Sequence, residues 1–194
     1  MIDEKEDLEL VTDNDIPLMN VDPVIKSIFK NNPNVLAKLI SDIADYNYYE
    51  LENNIDILSD DILIGTRNEK AKRCDFLVKI DNNRYTNIEM NNYSSKVDLI
   101  KNLSYVFHIY SSVTKKGNKY KNELELSQIN LDYHAFNMDK PLEKYYLMNN
   151  DKKILTKSLI ICFLNIERKT TAIPLTLDDG LKSLLFSYEK SVQF

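Results

Sequence analysis

The pattern of apolar and polar positions predicts two amphipathic helices in the first quarter of the chain. Asp22 is a residue type that caps helix N-termini well, and Pro23 suits the first helical position. Apolar residues then recur at the spacing that places them on one face of a helix. They are Val24, Ile25, Ile28 and Phe29 in the first helix, and Val35, Leu36, Leu39, Ile40 and Ile43 in the second. Asn31-Asn32-Pro33 separates the two helices.

The segment from residue 73 to residue 92 alternates with the period of a β-strand on both sides of a short polar turn. The turn is Asp81-Asn82-Asn83, which is typical turn chemistry. Two alternating runs around such a turn predict a β-hairpin. The first run alternates Cys74, Phe76, Val78 and Ile80 with Asp75, Leu77 and Lys79; the second alternates Tyr85, Asn87, Glu89 and Asn91 with Thr86, Ile88 and Met90.

The hydrophobic pattern also predicts the register of this hairpin. A turn centred on Asn82 places the apolar residues on one face, whereas a shift by one residue would scatter them over both faces. The pairs are then Cys74 with Met90, Phe76 with Ile88, and Val78 with Thr86. The same register places Asp75 opposite Glu89. Like charges at about 4.5–5.5 Å destabilise a strand pair, and a metal ion between them would offset that cost.

The remaining pattern predicts further strands and two more helices. Tyr48 to Leu63 reads as an extended segment with a short strand, and residues 96–115 as a long helix. We expect its buried stripe to be Ile100, Leu103, Phe107 and Tyr110, with Val106 and Val113 beside it. Later strands are predicted at 124–131, 145–148 and 158–166, and a final helix at 178–190. This order indicates one mixed α/β domain over residues 20–194, preceded by an acidic arm at 1–19.

Composition narrows the function classes. The chain has 194 residues, 43% of them hydrophobic, which is enough for one domain with a substantial core. Its net charge of −5 argues against a protein that coats nucleic acid through basic surface. The negative charge is compatible with a metal-dependent nuclease. In such an enzyme, carboxylates bind the metal ion and the ion contacts the phosphate. Only two cysteines are present, so a disulfide framework is not expected. The acidic start and short apolar runs predict a cytosolic protein without a membrane span.

The hairpin carries the residues that point to chemistry. Glu89 and Asn91 are two positions apart and share one face of their strand, and Asp75 lies opposite Glu89. Carboxylate oxygens hold Mg²⁺ or Mn²⁺, and such an ion polarises a phosphate and activates water. The pattern by itself fits equally well a solvated strand face that carries acidic residues. Glu50 and Glu52 are further carboxylates, which we expect at an exposed edge.

At these positions the sequence resembles a known family. The segments VDPVIKSIF, RCDFLVKI, NIEMNN and KKGNKY look like motifs of the PD-(D/E)XK nuclease family transposases, which are related to recombination-promoting nucleases. The resemblance spans roughly residues 20–166. The matching positions are Asp22 and Lys26 in the first helix, Asp75 and Glu89 in the hairpin, and Tyr105, Gly117 and Tyr120 in the pattern of the long helix.

The resemblance implies a restriction-endonuclease-like α/β fold with a central mixed β-sheet flanked by helices. It further implies a Mg²⁺- or Mn²⁺-dependent DNA endonuclease with Asp75 and Glu89 as metal ligands and Asp22 as a further acidic contact to the metal. Ile25 stands where the first motif of the family usually has Phe, and two further departures matter for the chemistry. Asn91 stands where the family has Gln or Lys, and Lys101 stands where its helix has Arg. Asn91 can orient water but supplies no positive charge, so either catalysis is weaker or a lysine from elsewhere, Lys101 or Lys79, compensates.

Basic residues provide the expected contacts to nucleic acid. We expect Lys26 and the cluster Lys115, Lys116 and Lys119 to meet phosphates, although a solvated helix end favoured by the helix dipole explains the cluster equally well. An alternative to the enzyme is the same fold without catalysis, acting as a protein- or nucleic-acid-binding module. The sequence leaves open whether the substrate is DNA or RNA and whether the protein forms a homodimer.

Overall fold

A computed structural model describes residues 22–58, 74–91, 96–113, 124–132 and 142–166. The acidic arm predicted at 1–19 and the helix predicted at 178–190 lie outside these ranges. The described residues form helices α1 (Asp22–Asn31), α2 (Pro33–Ala44), α3 (Tyr48–Leu51) and α4 (Lys96–Val113). Their strands are β1 (Asp56–Leu58), β2 (Phe76–Lys79), β3 (Arg84–Asn91), β4 (Glu125–Asp132), β5 (Leu142–Tyr146) and β6 (Leu159–Asn165).

The strands form one six-stranded mixed sheet in the order β1-β2-β3-β4-β6-β5. The central strands β3, β4 and β6 run parallel to one another, and the outer strands pair antiparallel. The predicted mixed α/β fold is therefore confirmed. Helix α3 was not predicted; Asn47 caps it by accepting a hydrogen bond from the Tyr49 N–H at 3.1 Å. Within the described residues, no helix is long and apolar enough to cross a membrane.

Helices α1 and α2 cover one face of the sheet with the apolar faces that the sequence predicts. Ile25 and Phe29 of α1 are fully buried against Phe76, and the rings of Phe29 and Phe76 meet edge-on at 5.5 Å. Burial of each such side chain contributes about 1.5–3 kcal/mol. The strands supply alternate residues to this core, among them Val78, Ile88, Ile129, Leu131, Cys162 and Leu164.

The hairpin has the predicted register, since Phe76 pairs with Ile88 and Val78 pairs with Thr86. The ladder begins at Phe76, and this makes the prediction for Cys74 wrong. Cys74 precedes the ladder and packs with Leu77 on the opposite face of the sheet. Both Cys74 and Cys162 are buried, and neither forms a disulfide.

The predicted buried stripe of α4 is wrong for Ile100 and Phe107, whereas Val106, which was predicted beside it, is buried. Ile100 is 69% exposed and Phe107 is 63% exposed, whereas the face that packs on the sheet carries Tyr105, Val106 and Ile109. The helix has apolar residues on two sides, and the surface of the sheet decides which side packs. That surface offers Leu77 and Leu126, and the second core forms around them. Helix α4 therefore buries the hairpin face that the sequence left open as a solvated surface.

Candidate active site

Asp75 and Glu89 are tied together at the end of the hairpin. The backbone N–H of Met90 donates to Asp75 Oδ2 at 2.9 Å. The backbone N–H of Asp75 in turn hydrogen-bonds the Glu89 carboxyl group. Glu89 is 1% exposed, and the side chain of Asp75 is 20% exposed. The structure thus brings together the two carboxylates that the hairpin register placed opposite each other.

Two lysines approach this pair from opposite faces of the sheet. Lys26 of α1 places Nζ 3.2 Å from Asp75 Oδ1, and Lys101 of α4 places Nζ 3.5 Å from Glu89 Oε2. The ammonium of Lys26, predicted as a contact to nucleic acid, therefore lies on the Asp75 carboxylate. In this state each carboxylate has its own cation, which offsets part of the repulsion between the two acids.

Burial raises the pKa of Glu89 from its ordinary value of 4.5 to about 7. The negative charge of Asp75 adds to this rise, while Lys101 and the hydrogen bond from Asn87 oppose it. Since removal from water disfavours the charged carboxylate, the site gains free energy from any positive charge that comes close. Such an environment is typical of carboxylates that act in catalysis or metal binding.

Three buried amide side chains adjoin Glu89, and the sequence analysis did not identify them. Asn87 Nδ2 donates to Glu89 Oε1 at 3.2 Å and to Gln128 Oε1 at 2.8 Å. Gln128 Nε2 donates to Asn130 Oδ1 at 3.2 Å, and Asn130 Nδ2 donates to the Cys162 carbonyl at 3.1 Å. We call Asn87, Gln128 and Asn130 the amide ladder. Its signal in the sequence is the alternation of Gln128 and Asn130 with apolar residues on β4.

A third carboxylate lies beside Asn91. Asn91 and Asp132 are partners in the parallel pair of β3 and β4, and Asn91 Nδ2 donates to Asp132 Oδ1 at 2.7 Å. Both are buried, with Asp132 only 1% exposed. A buried polar group is costly unless it is hydrogen-bonded, so this contact favours one orientation of the Asn91 amide. Sequence reasoning missed Asp132, although it continues the polar alternation of Gln128 and Asn130.

Tyr105 completes the surroundings of the carboxylates from α4. Lys101 Nζ lies 5.5 Å from the centre of the Tyr105 ring, within the range of a cation–π contact. Burial raises the pKa of the Tyr105 hydroxyl to about 12, and the charges of Glu89, Cys74 and Asp75 contribute to the rise. The hydroxyl therefore stays protonated at neutral pH and remains a hydrogen-bond donor.

The other candidate residues fall into two groups. Lys79 lies at the far end of β2, opposite Tyr85, so of the two lysines expected to compensate for Asn91 it is Lys101 that contacts Glu89. Glu50 pairs with Arg84 at the start of β3, away from Asp75 and Glu89. Further candidates lie outside the described residues: the side chain of Asp22 and the residues Lys115, Lys116 and Lys119.

Residues 19–174 match the family described as PD-(D/E)XK nuclease family transposase. The chain belongs to this family. The resemblance stated from the motifs is thus confirmed, and so is the restriction-endonuclease-like α/β fold with its mixed sheet and flanking helices. No curated protein and no solved structure matches the chain.

The donor set suits a hard divalent cation. Mg²⁺ is usually bound by one or two protein carboxylates and completes its shell with water and substrate oxygens. Asp75 and Glu89 supply two such carboxylates side by side. Within the described ranges, no group of three or more His, Cys, Asp and Glu side chains is arranged to hold a metal.

Proposed function

We propose that this protein is a metal-dependent endonuclease that hydrolyses phosphodiester bonds of DNA. Membership in the PD-(D/E)XK nuclease family transposases supports a nuclease- or transposase-type function. The observation that carries the finer proposal is the pairing of Asp75 with a buried Glu89 at the end of the hairpin. A buried acid beside a second acid is unfavourable for the apo protein, and a divalent cation relieves that repulsion.

Asp75 and Glu89 are the residues that would hold Mg²⁺ or Mn²⁺. When bound, the ion polarises the scissile phosphate and lowers the pKa of an attacking water. Lys26 and Lys101 now neutralise the two carboxylates, and a divalent cation competes with them for the same oxygens. We propose that the lysines are thereby released towards the phosphate oxygens of the substrate.

Asn91 and Lys101 together perform the role that one lysine performs in the wider superfamily. The Nδ2 of Asn91 donates to Asp132, so the amide oxygen is the group left to accept a hydrogen bond from water and orient it. Lys101 supplies the positive charge, because its Nζ lies 3.5 Å from Glu89 while its side chain is 42% exposed. The proposal assigns Asn91 to water positioning and Lys101 to charge stabilisation.

The proposed contacts to DNA are inferred from where the lysines lie in the sequence relative to α4. Lys115, Lys116 and Lys119 come directly after α4, the helix that carries Lys101. We propose that this cluster meets the phosphate backbone beside the site, and that Asp22 at the start of α1 adds an acidic contact. Formation of a homodimer stays a prediction from the sequence.

The test is cleavage of supercoiled plasmid DNA by purified protein with Mg²⁺ or Mn²⁺. We expect nicking by the natural protein and its loss in Asp75→Ala and Glu89→Gln. The matched control is Glu50→Gln, which removes a carboxylate at the other end of β3 and should cut normally. Cleavage that persists in Asp75→Ala would exclude the assigned site.

A catalytically inert member of the fold is the second candidate. It is favoured by Asn91, whose Nδ2 is engaged by Asp132 and which cannot provide charge to the reaction. In that case the protein acts as a module that binds protein or nucleic acid. Calorimetry without any heat of Mg²⁺ or Mn²⁺ binding, together with intact plasmid in the cleavage assay, would select this function.

A further inference from the structure

The amide ladder connects Glu89 to the interior of the sheet. Asn87 donates one hydrogen bond to Glu89, and from Asn87 onward each amide donates to the next acceptor, as far as the Cys162 carbonyl. Asn87, Gln128 and Asn130 are each 0% exposed. Asn87 and Gln128 are partners in the parallel pair of β3 and β4, as are Glu89 and Asn130. The ladder therefore crosses from β3 to β4 and ends at the carbonyl of Cys162 on β6. It lies on the sheet face that α4 covers.

The direction of the ladder is determined at the Cys162 end. A backbone carbonyl only accepts hydrogen bonds, so Asn130 must turn its NH₂ group towards it. The Oδ1 of Asn130 then faces Gln128, which donates to it, and the Oε1 of Gln128 faces Asn87, which donates in turn. If the three amide groups were flipped, Asn130 Oδ1 would face the Cys162 carbonyl and Asn87 Oδ1 would face the Glu89 carboxyl group. The Cys162 carbonyl of β6 thereby determines that Asn87 presents its NH₂ group, and not its oxygen, to Glu89.

This arrangement leaves one acceptor without a partner. The NH₂ group of Asn87 faces Glu89 and Gln128, and its buried Oδ1 accepts no hydrogen bond. A buried acceptor without a partner destabilises the folded state. Apolar residues of similar size at these three positions would fill the same space without that cost. Stability therefore does not explain the ladder, whereas orientation of Glu89 does.

We propose that the amide ladder is a positioning device that holds the Glu89 carboxylate in its metal-binding orientation. The inference rests on the proposed function of Glu89 as a metal ligand. Gln128 and Asn130 are positioning residues, since they act on Glu89 only through Asn87. Hydrogen-bonding partners of metal ligands typically change metal affinity or activity by about 10- to 100-fold when removed.

Substitution of Gln128 by Met tests the proposal, because Met has a similar length and cannot continue the ladder. Titration with MnCl₂ alone in a calorimeter should show binding weakened about tenfold in Gln128→Met. In the cleavage assay we expect kcat to fall by a similar factor while KM for plasmid DNA stays the same. The control is Ile129→Val, the next residue of β4 on the opposite face, which perturbs packing without touching the ladder.

A second variant and a second measurement separate the outcomes. Asn130→Leu removes the contact to the Cys162 carbonyl and should weaken Mn²⁺ binding in the same direction as Gln128→Met. A crystal structure of either variant without metal should show the Asn87 amide rotated and its Nδ2 out of reach of Glu89 Oε1. An unmoved Asn87–Glu89 contact, or Mn²⁺ affinity within twofold of the natural protein, overturns the positioning role.

Failure of the proposed function would give results different from failure of the positioning role. If the natural protein neither binds Mn²⁺ nor cuts DNA, the function is wrong, and the crystal structure of the variant still decides whether the ladder orients Glu89. If neither variant folds, the ladder is required for the fold itself and the positioning role is overturned.

Discussion

Asn91 on β3 and Asp132 on β4 face each other as partners in a parallel strand pair, and Asn91 Nδ2 donates to Asp132 Oδ1 at 2.7 Å. The contact joins the residue that departs from the family motif to a buried carboxylate on the neighbouring strand. Asp132 thus determines which end of the Asn91 amide is available to water. The role of Asn91, which departs from the motif, can therefore be tested by substitutions of Asp132.

Asp132→Leu should destabilise the protein by about 1–3 kcal/mol, since it leaves Nδ2 of Asn91 buried without its acceptor. It should also lower cleavage, because the amide of Asn91 becomes free to rotate. Asp132→Asn is the matched variant, as its side-chain oxygen can still accept the hydrogen bond. Urea unfolding and plasmid cleavage measure the two effects. Equal behaviour of the Leu and Asn variants would contradict the role given to this hydrogen bond.

The metal-free protein should lose stability as the pH rises from about 5 to about 8. Glu89 has a pKa of about 7 in the folded state, above its ordinary value of 4.5, so the folded state binds this proton more tightly than the unfolded state. The stabilisation from the proton is present below pH 4.5 and disappears as the pH passes 7. The full effect is on the order of 3 kcal/mol.

Glu89→Gln should therefore be more stable than the natural protein at about pH 8, and this pH dependence should become flatter. The measurement is chemical unfolding in the presence of a chelator at an acidic and an alkaline pH. The same slope in both proteins would show that Glu89 is not the titrating group. Stabilisation combined with loss of cleavage is the expected result for a carboxylate kept for function.

Lys101→Met should reduce cleavage on the order of a hundredfold, the usual loss when one group that stabilises transition-state charge is removed. The matched variant is Lys79→Met, which removes a lysine at the far end of β2 and should cut normally. Single-turnover cleavage at saturating Mg²⁺ measures both. A larger loss in Lys79→Met than in Lys101→Met would reassign the compensating charge.

The orientation of α4 can be tested by stability alone. Ile109 is 1% exposed and Ile100 is 69% exposed. Ile109→Ala should lower the free energy of unfolding by about 2–5 kcal/mol, while Ile100→Ala should change it by less than about 0.5 kcal/mol. Comparable losses in the two variants would mean that the helix also buries the face with Ile100.

The sequence by itself determined the helices α1 and α2, the hairpin and its register. These features depend on the period of consecutive residues, which local backbone geometry translates directly into faces. Because Phe76 pairs with Ile88, the period-2 pattern also led to Asp75 beside Glu89. The family motifs then pointed to the same two residues, and the match over residues 19–174 confirmed the family.

Only the tertiary structure decided what surrounds these carboxylates. The bonds of Asn87 to Gln128 and of Asn91 to Asp132 each join residues 41 positions apart, across a parallel connection whose register no local pattern specifies. The face of α4 that packs was decided by the sheet beneath it, since the helix carries apolar residues on two sides. Local periodicity determines which residues share a face, whereas packing between distant segments determines what that face meets.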